Sequence, residues 1–253
     1  MRPHLKHKET SRRPLLPDCI VLCGGQGTRL RRILSHLPKA LAPVGERAFL
    51  DLLLDLLARQ GMRRAILCVG HLGALIREHL RSDARVVFSE ELEPLGTGGA
   101  LRLALPLAGG ERALVLNGDT FCPVDLSALL RFHRDRRAAL TVVLSRSSRS
   151  DGGSVALSSD GRITDFSEKK RPGAERYLNA GIYCFDKRAA RRFPSESAFS
   201  LELDFFPKLL RRATCYGFVT DEPVIDIGTP ARYRAAKEYF KDAKHRSRDE
   251  KSD

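Results

Sequence analysis

A chain of 253 residues with 42% hydrophobic content can bury a full core as one α/β domain, and no apolar stretch in it approaches the length of a membrane span. The formal net charge of +13 raises nucleic-acid binding, but the excess sits in the opening run MRPHLKHKETSRR and in pairs such as Arg136-Arg137, which read as solvated surface; attraction of small anionic substrates accounts for the charge as well, with no nucleic acid and no membrane as partner. No apolar segment of leader type follows the basic N-terminus, so a cytoplasmic location is expected.

In chain order, residues 1–16 read as a flexible basic extension, 17–240 as one folded domain and 241–253 as a charged disordered tail. The first half alternates apolar runs (CIVLCG, AILCVG, RVVFSE, ALVLNGD) with helical patterns (FLDLLLDLLARQG, LGALIREHL), the signature of a parallel sheet covered by helices. Later runs (ALTVVL, SVALSS, RITDFSE, YLNAGIYCF) are separated by turn chemistry such as Asp160-Gly161, which predicts antiparallel pairs. Helices are expected around 201–212 and 230–240, flanking CYGFVTDEPVIDIG, which reads as two short strands ending on Asp226. Six scattered cysteines (Cys19, Cys23, Cys68, Cys122, Cys184, Cys215) have no zinc spacing and read as buried thiols.

The first strand runs into Gly24-Gly25-Gln26-Gly27-Thr28-Arg29-Leu30, a turn whose backbone N–H groups can approach phosphate oxygens. It is not a Walker loop, which ends in Gly-Lys-Ser/Thr, nor a dinucleotide fingerprint, which needs a third glycine where Leu30 stands. A tight structural turn is the alternative for the glycines, but Arg29 and Lys39 place two cations beside the turn, as a triphosphate and its leaving pyrophosphate require. Further on, Pro94-Leu95-Gly96-Thr97-Gly98-Gly99 is either a close approach to a flat ring or a helix start capped by Thr97. Asn117-Gly118-Asp119 closes an apolar strand, where an open α/β sheet holds its ligands, although an aspartate there can also cap a turn.

Together GGQGTRL, PKALAP, PLGTGGA, NGDTF, FSEK, NAGIY and IDIGTP resemble the sugar-1-phosphate nucleotidyltransferase family, in order along roughly residues 18–240. The branch they look most like acts on D-glycero-D-manno-heptose 1-phosphate with GTP, followed by mannose-1-phosphate guanylyltransferases; N-acetylmuramate 1-phosphate uridylyltransferases are also similar. The resemblance implies an α/β fold, Rossmann-like, with a mixed, mostly parallel sheet between helices and a small antiparallel sugar-binding lobe. It also implies that Leu22, Gly24, Gly25, Gly27, Thr28, Arg29, Gly96, Thr97, Asn117 and Gly118 hold the nucleotide. Arg29, Lys39 and Asp119 would be catalytic, Asp119 and Asp226 would bind Mg2+, and Glu168, Lys169 and Asn179 would hold the sugar phosphate. GTP and a sugar 1-phosphate are the implied partners, and a homo-oligomer is compatible with the sequence. The rival class is a catalytically silent nucleotide-sugar sensor on the same fold, against which the joint retention of Arg29, Lys39, Asp119, Lys169 and Asp226 speaks.

Overall fold

The computed structural model describes residues 16–25, 27, 29–30, 33–146, 153–167 and 177–249. In chain order the strands are β1 (Cys19–Leu22), β2 (Pro43–Val44), β3 (Arg47–Ala48), β4 (Ala65–Val69), β5 (Val86–Glu90), β6 (Arg112–Asn117) and β7 (Thr120–Phe121). They continue with β8 (Leu140–Ser145), β9 (Ser154–Leu157), β10 (Ile163–Ser167), β11 (Tyr177–Asp186), β12 (Cys215–Thr220) and β13 (Ile225–Asp226). The helices are α1 (Phe49–Arg59), α2 (Gly73–His79), α3 (Gly96–Ala104), α4 (Leu126–Asp135), α5 (Phe206–Leu210) and α6 (Pro230–Asp249).

A central sheet runs β10-β9-β11-β6-β1-β4-β5, with β8 pairing both β11 and β12. The pairs β1–β4, β1–β6, β4–β5 and β8–β12 are parallel, and β11 is antiparallel to β6, β8 and β9. This is the mixed, mostly parallel sheet expected, with antiparallel β9 and β10 at one edge. Strands β1, β4 and β6 are almost continuously apolar because both their faces are covered. Leu50, Leu53 and Leu57 of α1 pack on one face with Val21 and Leu67; Ala100, Leu101 and Ala104 of α3 pack on the other with Ile20 and Ile66.

Strand β11 joins the two halves. Its C-terminal part pairs β6, its first residues pair β9, and the register against β8 shifts between Asn179 and Tyr183. Gly181, at φ +66°, makes this bulge, a device that bends a strand and re-aims its side chains. A third cluster binds the C-terminal helix: Tyr233 and Ala236 pack with Phe49, Phe121 and Ile227, and the Tyr233 hydroxyl donates to the Pro43 carbonyl at 2.6 Å.

Two elements differ from expectation. The segment read as one helix over 201–212 is a π-helical turn, Leu201–Phe205, followed by the short α5 with Pro207 in its first turn; proline cannot supply the N–H an uninterrupted helix needs there. Helix α6 continues to Asp249, past the expected end at 240, since neither glycine nor proline interrupts that run. The antiparallel pairs expected among β8–β11 are present, and β8 takes a parallel partner, β12, on its other side. All six cysteines are buried and free, and among the described residues no helix is long and apolar enough to cross a membrane.

His133 of α4 carries a pH-dependent contribution to this core. It is 1% exposed, its Nδ1 lies 2.9 Å from the Thr141 hydroxyl, and Nε2 is buried with no hydrogen-bond partner among the described residues. Burial, with a smaller contribution from the Arg112 charge, lowers its pKa to about 4. The folded value lies below the unfolded one, so the neutral ring's contribution is complete above about pH 6.5 and is lost as the pH falls toward 4. Urea unfolding at pH 7 and pH 5 should show wild type losing roughly 2 kcal/mol more than His133→Leu over that interval. Equal losses in the two proteins would contradict a neutral buried imidazole.

Candidate active site

The candidate residues gather at the C-terminal edge of the parallel strands. Beyond β1 the ladder extends by one bond, Cys23 N–H to the Cys68 carbonyl at 2.9 Å, and the chain then turns through Gly24, Gly25 and Gly27. Gly27 takes φ +58°, which a side-chain-bearing residue adopts only under strain, and the Leu30 N–H closes the turn on the Gly27 carbonyl at 2.9 Å. Lys39 follows Pro38 on a short 3-10 turn held down by buried Ala40 and Leu41. A Cβ on Gly27 would stand 3.6 Å from the Lys39 Cβ, so the lysine stem lies along the glycine turn, and exposed Arg29 flanks the same cleft.

Asp119 and Asp226 meet through backbone pairing. Gly118 presses on β1: its N–H donates to the Leu22 carbonyl at 3.0 Å, and a Cβ there would fall 2.6 Å from Cys23 Sγ and 2.9 Å from Leu22 O. The chain leaves the sheet at this point as β7, which pairs β13 with Asp226 opposite Thr120; the Ile227 N–H donates to the Asp119 carbonyl at 3.0 Å. Two aspartates far apart in sequence are thereby brought together, Asp119 immediately before β7 and Asp226 on β13.

Each has a cation. Lys39 Nζ donates to Asp119 Oδ2, and the Thr120 hydroxyl donates to Asp119 Oδ1 at 3.1 Å. Asp226 Oδ1 accepts from Arg232 Nη1 at 3.0 Å and from the Gly228 N–H at 3.0 Å. A Cβ on Gly228 would lie 3.1 Å from Asp226 Oδ1 and 3.6 Å from Lys39 Nζ, so both pairs converge on that glycine. They line a cleft of about 180 Å³ together with Arg29, Asn117, Asn179 and Gly181. Asn117 Oδ1 is buried with no hydrogen-bond partner among the described residues.

Asn179 is held by a relay. Its Oδ1 accepts from the Gly181 N–H at 3.0 Å, and its Nδ2 donates to the Tyr183 hydroxyl at 2.9 Å. Tyr183 donates in turn to Glu202 Oε1 at 3.1 Å, while Glu202 Oε2 accepts from Thr97 at 2.9 Å and Ser200 at 3.0 Å. Thr97 therefore does not cap α3. The residue before that helix is Leu95, which makes no side-chain cap, and the Thr97 hydroxyl also accepts the Leu201 N–H at 2.8 Å. Gly96, at φ +69°, fits under the Phe199 carbonyl, which a Cβ would approach to 2.7 Å.

Of the residues singled out in the sequence, Arg29, Lys39, Asn117, Asp119, Asn179 and Asp226 face one cleft, with Leu22, Gly24, Gly25, Gly27 and Gly118 at its sheet edge. Gly96 and Thr97 begin α3 and join the cleft through the relay. Thr28, Glu168 and Lys169 lie outside the described residues. Sequence reasoning missed Arg232, Tyr183 and Glu202. A signal existed for the first: a cation in the first turn of a helix opposes the macrodipole and implies an anionic partner nearby.

The profile of the nucleotidyl transferase family matches residues 18–243. The chain is 34% identical over 223 residues to D-glycero-alpha-D-manno-heptose 1-phosphate guanylyltransferase of Aneurinibacillus thermoaerophilus, covering 87% of this chain and 96% of that protein. It is 33% identical to mannose-1-phosphate guanylyltransferase of Mycobacterium tuberculosis, over 84% of this chain and 61% of that protein. The crystal structure of HddC from Yersinia pseudotuberculosis complexed with GMP-PN superposes with a TM-score of 0.79 at 32% identity, over 89% of this chain and all of that one.

Proposed function

The chain belongs to the nucleotidyl transferase family, and on that premise we propose that it transfers GMP from GTP to a sugar 1-phosphate, D-glycero-D-manno-heptose 1-phosphate in the first instance, releasing pyrophosphate. The enzyme is of the sugar-1-phosphate nucleotidyltransferase type, as its relatives are. The observation that carries the reading is the convergence of the Lys39–Asp119 and Arg232–Asp226 pairs on Gly228, opposite the glycine turn. Mannose 1-phosphate is the second candidate acceptor, favoured by the identity to the mannose-1-phosphate enzyme.

An oxygen of the sugar 1-phosphate attacks the α-phosphorus in line and pyrophosphate leaves. The protein's task is to hold two mutually repelling anions in register and to stabilise charge as it moves to the leaving group. Gly24, Gly25, Gly27 and Thr28 would offer backbone N–H groups to the triphosphate, with Arg29 and Lys39 as its cations. Asn117 Oδ1, buried with no hydrogen-bond partner among the described residues, would supply an acceptor for a hydroxyl of the bound substrates. Glu168 and Lys169 would receive the sugar phosphate beside Asn179.

The side chains fit a divalent metal. Asp119 and Asp226 present two carboxylates to one cleft, and among the described residues no group of three His, Cys, Asp or Glu forms an all-protein cage. A pair of carboxylates with the remaining positions left to phosphate oxygens and water is the donor set Mg2+ prefers. Asp119 and Asp226 would hold the ion, whose chemistry is to neutralise phosphoryl oxygens as charge develops.

The test is pyrophosphate release by purified protein with Mg2+, offering GTP, UTP, CTP, ATP and dTTP against heptose, mannose, glucose and N-acetylated sugar 1-phosphates. Release with GTP and a single acceptor is the expected result. Release with UTP alone would move the enzyme to the uridylyl branch, and no release from folded, nucleotide-binding protein would favour the sensor.

Tyr183→Phe probes the sugar side. The variant removes the acceptor of the Asn179 amide and the donor to Glu202, and a hydrogen bond to a charged group contributes about 1.5–3 kcal/mol. KM for the sugar phosphate should rise by about tenfold or more while kcat changes less. An unaltered KM would mean that the relay does not orient Asn179 for substrate.

A further inference from the structure

Arg232 stands in the first turn of α6, and the start of that helix is firmly made. The Tyr233 N–H donates to the Thr229 carbonyl at 2.8 Å, the Arg232 N–H donates to the Thr229 hydroxyl at 3.3 Å, and buried Tyr233 and Ala236 anchor the helix from beneath. The arginine side chain lines the cleft, 19% exposed, with Nη1 3.0 Å from Asp226 Oδ1. A cation at a helix N-terminus is unfavourable without an anion beside it, because that end carries partial positive charge. The anion that Arg232 has here is Asp226, the carboxylate proposed to hold the metal. Asp226 does not depend on the arginine for its orientation, since Oδ1 also accepts the Gly228 N–H at 3.0 Å. A divalent ion on Asp226 would leave the guanidinium facing two positive neighbours, the ion and the helix end, and it stays in the cleft only if another anion is there to meet it.

Resting on the guanylyl-transfer reading, we propose that Arg232 is a substrate-binding residue, holding Asp226 in the free protein and the phosphate of the sugar 1-phosphate in the loaded one. The reaction brings one phosphate against another, and the acceptor needs a cation of its own if the two anions are to meet in line. Arg29 and Lys39 flank the glycine turn and serve the nucleotide; Arg232 enters the same cleft from α6, which Asn179 and Gly181 also line. Gly228 leaves the space for the exchange: a Cβ there would stand 3.5 Å from Arg232 Nη1 and 3.6 Å from Lys39 Nζ, so a side chain at 228 would fill the ground between the two cations. A guanidinium fork also matches two oxygens of one phosphate, which an ammonium does not. Metal and acceptor thereby favour each other. The ion releases the arginine for the phosphate, and the phosphate supplies the anion that the released arginine requires, so the two bindings are coupled and the coupling is reciprocal.

The test uses the full chain as wild type, Arg232→Gln and Arg232→Lys. Pyrophosphate release with Mg2+ is measured at varied sugar 1-phosphate and at varied GTP, and calorimetry follows inorganic phosphate binding to the nucleotide-free protein with and without Mn2+. In Arg232→Gln the KM for the sugar 1-phosphate should rise about tenfold or more, the effect of losing one hydrogen bond to a charged group, while the KM for GTP stays within about twofold. Arg232→Lys keeps a cation and should recover part of that loss. Mn2+ should strengthen phosphate binding in wild type, and Arg232→Gln should abolish the enhancement while binding Mn2+ itself more tightly. An acceptor KM and an Mn2+ enhancement both unchanged in Arg232→Gln overturn the proposal. A rise confined to the KM for GTP assigns the guanidinium to the nucleotide and overturns it equally. Wild type that releases pyrophosphate with no pair ends the guanylyl-transfer reading, and the phosphate titration then decides on Arg232 separately.

Discussion

Asp119→Asn should leave a folded protein whose pyrophosphate release falls by about 100-fold or more, the scale of losing one preorganised electrostatic element. The substitution keeps the shape of the side chain and an acceptor for the Thr120 hydroxyl. The backbone bond from Ile227 N–H to the Asp119 carbonyl that joins β7 to β13 is untouched. What disappears is one negative charge. It now binds the Lys39 ammonium, and in the proposed role it would hold Mg2+ with Asp226. The pair is partly exposed, at 20% for Lys39 and 33% for Asp119, so its contribution to folding is small and the melting temperature should change little. The Mg2+ concentration needed for half-maximal residual activity should rise. A folded variant with normal turnover would remove Asp119 from the site.

That Asp119 is a candidate for a site was legible because its strand is apolar on both faces and ends two residues before it, at the edge where an open α/β sheet holds ligands. Its partnership with Asp226 was legible only through the family resemblance. Strands β7 and β13 have two residues each, too short to show any period, and they are held where Tyr233 of α6 packs with Ile227, Phe49 and Phe121. The same limit hid Glu202 and Tyr183. In LELDFF the glutamate reads as one acid of a surface helix, whereas the π-helical turn points it across to Thr97 and Tyr183. Gly24, Gly118 and Gly181 are the complementary case: their presence was visible, but the reasons for them are contacts with Glu91, Cys23 and Asn117, which exist only once separate strands have been brought together.

Lys39→Ala should also lower turnover by about 100-fold or more, and it carries a second expectation of opposite sign. Lys39 stands where two functions meet: its stem follows the glycine turn, its ammonium holds Asp119, and that ammonium is 3.6 Å from the position of a Gly228 Cβ. With nucleotide bound, the cation would stabilise the departing pyrophosphate. Without nucleotide it occupies Asp119, the carboxylate proposed to hold the metal, and a cation within hydrogen-bonding distance competes directly with a second cation for the same charge. Removing the ammonium should therefore strengthen binding of Mn2+ to the nucleotide-free protein, measured by calorimetry or by loss of the free-ion electron-spin signal, while the chemical step slows. Lys39→Arg should be no substitute, because a planar fork on a longer stem does not reproduce a compact point charge at that spot. Weaker metal binding in Lys39→Ala would mean that the lysine positions Asp119 for the metal, and unaltered turnover would place the lysine outside the chemistry.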